Sequence, residues 1–177
     1  MLDLNAHPHL RRLYRIARLR VSIGFVVAVF ALLLARPTWL SITTGGVIAA
    51  LGEGIRVWAA GHLEKGREVT RSGPYRLMRH PLYVGSFVIG IGFTIAFASG
   101  VATAAVVTYL VVMLVVAIRL EEATLRDAFG EEYDRYTRGV LPVSERRFSV
   151  ERVLANREHH AWLGFAAALV ILWTKIK

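Results

Sequence analysis

The stretches LYVGSFVIGIGFTIAFA (residues 82–98), SG (99–100) and VATAAVVTYLVVMLVVAI (101–118) carry no charged residue. Each apolar run approaches the roughly 20 residues that a helix needs to cross a bilayer. Only two residues separate them. In lipid the backbone must satisfy itself as helix or closed barrel. Period-two alternation is absent, which argues against a barrel. The pair therefore predicts a tight antiparallel helical hairpin inside a membrane.

Three further apolar segments extend this pattern, at 21–35, 40–63 and 161–174. Together they predict an all-α integral membrane protein with about five transmembrane helices. The chain has 177 residues, 55% of them hydrophobic, with a net charge of +9 and no cysteine; its mean hydropathy is +0.46. No disulfide, thiolate metal site or cysteine nucleophile is possible. One domain spanning 1–177 is expected, with a motif-bearing core at 52–141 and an extra C-terminal helix at 160–175. Of the 22 basic residues, 18 fall in the N-terminal arm, between spans two and three, and between spans four and five. Positive charge marks the cytosolic side. The N-terminus is thus expected in the cytosol and the C-terminus outside, in the inner membrane of a prokaryote or the endoplasmic reticulum of a eukaryote. The basic clusters read as membrane flanks facing anionic headgroups, not as a nucleic-acid surface. The segment 146–160, with its alternating charge, reads as a helix lying at the headgroups.

Two polar segments differ from ordinary flanks. Ser72–Gly85, SGPYRLMRHPLYVG, opens span three, and Arg119–Tyr136, RLEEATLRDAFGEEYDRY, closes span four. The hairpin brings them to one membrane face, with Arg79, His80 and Tyr83 near Glu121 and Glu122. Pro81 suits a first helical turn. A helix start flanked by Arg79 and His80 favours an anion. The glutamates favour a cation. A ligand with both charges, such as the methionine portion of S-adenosylmethionine, fits the pair. Taken singly, Glu122 and Arg126 would also make a plain i,i+4 pair. Tyr133 and Tyr136 would serve as interfacial belt residues, Gly90 and Gly92 would admit close helix packing, and Gly130 would end or bend the helix.

The order GPYxxxRHPxYxG, hydrophobic hairpin, EExxLxxxFGxxYxxY resembles the isoprenylcysteine carboxyl methyltransferase and phospholipid methyltransferase family of integral membrane methyltransferases. The resemblance runs from about Gly52 to Leu141 and includes Arg56 and Trp58. It implies a membrane methyltransferase that uses S-adenosylmethionine, with a pocket at the cytosolic ends of the hairpin and a lipophilic or amphiphilic acceptor from the bilayer. It carries cofactor binding to Gly73, Tyr75, Arg79, His80, Pro81, Tyr83, Gly85, Glu121 and Glu122. The acceptor is expected to be a carboxylate of an isoprenylcysteine-like molecule or a lipid headgroup, and no metal is expected.

In this scheme His80, Glu122 and Arg119 are the catalytic candidates. His80 or a glutamate is the base if the acceptor is an amine, and Arg119 orients an anionic acceptor. Gly85 would let adenosine approach the helix backbone. Glu53 and Arg56, three apart inside span two, could form a structural ion pair or a polar wall of the substrate cavity. Trp58 could line an acyl-chain entrance. An intramembrane carboxylate also invites a small transporter, and a non-catalytic scaffold is a third possibility; donor binding separates both from an enzyme.

Overall fold

A computed structural model describes residues 8–176. Among these, all regular structure is helical. Seven α-helices follow one another: α1 Pro8–Leu34, α2 Trp39–Ala60, α3 Pro81–Phe97, α4 Gly100–Phe129, α5 Glu131–Thr137, α6 Val150–Ala155 and α7 His159–Trp173, with a short 3-10 turn at Gly73–Arg76. Two segments, Leu10–Leu34 and Gly100–Phe129, are long and apolar enough to cross a membrane, while α3 and α7 are shorter apolar helices. The expected first span at 21–35 is the second half of α1, which begins in the basic arm.

The hairpin turns where expected. Ala98 closes α3 in the left-handed conformation, φ 49°, and the Ser99 side chain caps α4 by accepting from the Ala102 amide. Yet the closest helix pair is α2 with α3. A side chain at Gly52 would come within 2.7 Å of the Gly85 carbonyl oxygen and the Ile89 nitrogen. One at Gly92 would meet the Ala49 backbone at 2.5 Å. Gly45 likewise faces Gly92 and Ala96. Small residues two turns apart on both helices let the backbones touch, the usual route to helix association in lipid.

The end of the bundle where α3 finishes is closed by Ala31, Ala35, Ala96, Phe97, Ala102 and Leu172. There the Arg36 amide donates to the Phe97 carbonyl at 2.8 Å, and Lys175 caps α1 by donating to the Leu32 and Leu33 carbonyls. The opposite end, where α3 begins and α4 finishes, carries the polar motifs.

The tail departs from the expected headgroup helix. There Val150–Ala155 forms one short helix, α7 begins only at His159, and residues 140–149 are irregular. This segment folds over the C-terminal end of α2. Asn156 donates to the Ala60 and Leu63 carbonyls, Arg152 Nε and the Ser149 amide donate to Gly61, and Arg146 donates to His62. The last turn of any helix leaves carbonyls without internal partners. Here the tail meets the last helical carbonyl, that of Ala60, and the carbonyls of Gly61, His62 and Leu63 just past the helix, so its polar groups are engaged with the end of α2.

Candidate active site

α3 starts at Pro81, buried at the first helical position, with His80 as the preceding cap. The His80 carbonyl accepts from both the Tyr83 and Val84 amides at 3.1 Å. Pro81 has no amide hydrogen and the Tyr83 amide is turned to the His80 carbonyl, so the anion-binding start expected of this helix keeps few free donors, and Arg79 is the main positive group there. The His80 imidazole is 15% exposed and points across to α4. Its Nε2 lies 3.2 Å from Glu122 Oε1, and its Nδ1 lies 3.6 Å from Glu121 Oε2. One ring thus bridges two consecutive carboxylates that leave the helix about 100° apart. Arg79 Nη1 is 3.8 Å from Glu122 Oε1, with half its side chain exposed. Tyr83 packs its ring 5.8 Å from that of His80.

Burial lowers the proton affinity of His80, but the hydrogen bonds and charges of Glu121 and Glu122 outweigh it and raise its pKa above the usual value. Burial first, then Glu121, raises the Tyr75 phenol. Burial, with Glu122 adding to it, pushes Tyr133 up to about 12. These phenols remain protonated and can only be neutral hydrogen-bonding groups.

Gly130, φ 49°, ends α4 and lets α5 fold back. Tyr133 is buried by this return, and the Tyr136 hydroxyl donates to the Tyr75 carbonyl at 2.9 Å. The two tyrosines expected in an interfacial belt are thus the packing between α5 and the 3-10 turn. Arg126 pairs with Asp134 at 3.2 Å, because Glu122 is turned toward His80. The helix-surface pair expected of Glu122 and Arg126 is replaced by these two.

The 3-10 turn is held from the other side by His62, whose Nδ1 is 3.1 Å from the buried Ser72 hydroxyl. Gly73, φ 55°, sits against the same ring, where a side chain would collide with it. Gly73 and Gly85 therefore serve close packing. Gly85 faces Arg56 and Gly52 of α2, which is the physical reason for glycine there, in place of the expected approach of adenosine.

Glu53 and Arg56 do not pair as expected. Arg56 is held by Glu158, which enters from the start of α7, and it donates to Ser86 at 2.5 Å. Glu53 is buried and its Oε2 has no partner among the described residues. Trp58 is 42% exposed on the bundle surface. Arg119 is exposed, three residues before Glu122. The residues missed by sequence reasoning are Glu158, Ser86, His62 and Ser72. A carboxylate immediately before an apolar helix, Glu158 before 161–174, was the one available signal.

The family model for phospholipid methyltransferases matches residues 25–132, and the chain belongs to that family. It is 33% identical over 140 residues to a protein named cobalt-zinc-cadmium resistance protein CzcN of Cupriavidus metallidurans, covering 73% of this chain and 64% of the relative. It is 32% identical over 114 residues to a probable protein-S-isoprenylcysteine O-methyltransferase of Oryza sativa subsp. japonica, covering 58% and 60%. It is 31% identical over 108 residues to nickel-cobalt-cadmium resistance protein NccN of Alcaligenes xylosoxydans xylosoxydans, covering 57% and 49%. The chain thus spans about half to two thirds of these relatives. No solved structure matches.

Proposed function

We propose that the chain transfers a methyl group from S-adenosylmethionine to a membrane-embedded or amphiphilic acceptor, a carboxylate of an isoprenylcysteine-like molecule or a lipid headgroup. The observation that carries this reading is the His80 bridge. It joins the polar ends of α3 and α4, where the two family motifs lie, into one cluster of carboxylates, imidazole and guanidinium. Membership of the phospholipid methyltransferase family supports the reaction class.

The side chains suit the cofactor's chemistry. Glu121 and Glu122 offer acceptors for an ammonium or ribose hydroxyls, and Arg79 offers a cation for the carboxylate. Bound there, S-adenosylmethionine would supply an activated methyl on a sulfonium. The protein's task is then chiefly orientation. A carboxylate acceptor is already nucleophilic. An amine needs a base, for which His80 is the candidate once deprotonated. Tyr75 and Tyr83 enclose the cluster, and Arg119 remains the candidate for drawing an anionic acceptor.

We read the whole chain as one domain with five spans, formed by α1, α2, α3, α4 and α7. The motif end faces the cytosol, where the basic residues gather. The metal-resistance names of two relatives add no metal site to this reading. Among the described residues no group of three or more His, Asp or Glu could hold a metal ion.

Calorimetric titration of S-adenosylmethionine and S-adenosylhomocysteine into purified protein in lipid nanodiscs tests the proposal. Binding by wild type that His80→Ala and Glu121→Ala abolish supports it. No binding by wild type in nanodiscs overturns it in favour of a transporter or scaffold.

A further inference from the structure

Two charges lie inside the span formed by α2, Glu53 and Arg56, three residues apart and so on one face. A second carboxylate, Glu158, arrives from the start of α7 and takes the Arg56 guanidinium through both oxygens. The part of α3 that meets Arg56 adds Gly85 and Ser86 and no charge. Two carboxylates therefore compete for one guanidinium, and with both ionised the set would carry one negative charge in excess. Glu53 is the one left over. It is 8% exposed, and its Oε2 has no hydrogen-bond partner among the described residues. An ionised carboxylate buried without a partner is so costly that such a group takes up a proton instead. The neutral acid balances the set.

The docked start of α7 is held under strain. Arg157, between α6 and α7, has φ 61°, a left-handed conformation that side chains other than glycine seldom adopt. Next to it Glu158 grips Arg56, and Asn156 donates to the Ala60 and Leu63 carbonyls. The far end of α7 is fixed separately, by buried Leu172 and by Lys175 on the Leu32 and Leu33 carbonyls. Between the two, Leu163 is exposed and Gly164 has nothing within 4 Å of an added Cβ. α7 is thus anchored at its end and latched at its start.

We propose that Glu53 is a proton-binding site that decides whether Arg56 holds α7. With the proton on Glu53, Arg56 belongs to Glu158 and the start of α7 is docked. When Glu53 gives its proton to water, it becomes a competing anion on Arg56's own helix, reached by a side-chain rotation with no movement of the chain. Arg56 turns to it, Glu158 is released toward the polar end of the bundle, and Arg157 relaxes. The exchange costs α7 its anchor and Glu53 its proton, so it reduces the penalty of undocking without cancelling it. The charged and titratable groups around the switch are Arg56 on α2 and Glu158, His159 and His160 at the start of α7, the two imidazole rings 4.2 Å apart.

The test uses full-length protein in nanodiscs. In infrared difference spectra at neutral pH, wild type should show the C=O band of a protonated carboxylic acid that Glu53→Gln lacks. In Glu158→Gln, which keeps the shape and removes the charge, that band should be lost and a carboxylate band gained. α7 docking is read from the distance between nitroxides at Val47→Cys and Leu163→Cys, both exposed and unique labels in a chain without cysteine. The distribution should broaden as rising pH removes the acid band, stay narrow throughout in Glu53→Gln, and be broad at every pH in Glu158→Gln. Monodisperse elution and unchanged helical circular dichroism report an intact fold. His159 and His160 are present in every variant, so a pH transition that persists in Glu53→Gln would belong to them and would overturn the latch. An acid band missing from wild type at neutral pH would show Glu53 ionised and overturn the proton site. Neither result bears on methyl transfer, which donor binding tests separately.

Discussion

The Arg56 guanidinium grips the Glu158 carboxylate through both oxygens, Nη2 at 2.7 and 3.0 Å and Nε at 3.1 Å from Oε2, although the two residues are 102 positions apart. Arg56 also holds Ser86 and packs against Gly85. One side chain of α2 therefore fixes α3 and the entry to α7 together. The pair is largely buried, with 20% and 6% of the side chains exposed.

Removing one partner of a buried ion pair strands the other. Glu158→Ala should lower unfolding stability by about 3 kcal/mol. Arg56→Met combined with Glu158→Leu should restore much of it, because the desolvation cost of both charges disappears. Denaturant unfolding in mild detergent measures both. A double variant as unstable as the single would show that the carboxylate acts through some other contact.

His80 gives the protein a pH dependence of definite sign. Its folded pKa is raised above the ordinary 6.5 by Glu121 and Glu122. The folded state therefore holds the proton more tightly than the unfolded state. The stabilisation is complete below about pH 6.5 and is lost as pH rises through the folded pKa. The melting temperature of wild type should fall across that interval, and His80→Gln should remove this component. An NMR titration of His80 in Glu122→Gln should show its pKa moved down.

Close packing of α2 on α3 predicts a contrast between neighbouring glycines. Gly52→Ala places a methyl 2.7 Å from backbone atoms of α3, and overpacking of that kind costs about 1–3 kcal/mol. Gly54 has nothing within 4 Å of an added Cβ, so Gly54→Ala should be neutral or slightly stabilising through helix propensity. Thermal unfolding of the two variants side by side decides it. Equal gains in the two variants would mean that helix propensity, not contact, governs both.

Tyr136→Phe removes the donor to the Tyr75 carbonyl. A lost hydrogen bond of this type costs about 1 kcal/mol. Because Tyr75 and its 3-10 turn border the His80 cluster, affinity for S-adenosylhomocysteine should drop as well, by a few-fold in calorimetry. Unchanged affinity with lowered stability would confine the contact to folding.

The α3–α4 hairpin was legible from its two uncharged runs around Ser99 and Gly100, since lipid leaves the backbone few options. The neighbours of His80 were legible for the same reason: a hairpin must return its polar ends to one face. The pairings of charges were not. Glu53 looked like the partner of Arg56 because three residues on a helix share a face, and Glu122 looked like the partner of Arg126. In both cases a residue from another element lies closer: Glu158 for Arg56, and Asp134 for Arg126. Gly85 looked like space for a ligand and is space for a helix.

By itself the sequence determined the helical class, the hairpin, the family and the segments that meet at its polar end, because hydrophobic run length and motif order are local properties of a chain. The tertiary structure decided which carboxylate neutralises Arg56, how the charged tail meets the end of α2, and where α1, α3 and α4 leave an apolar cavity between Ser86 and Phe97. Those depend on distances between residues far apart in the chain, and helix periodicity constrains only residues within one helix.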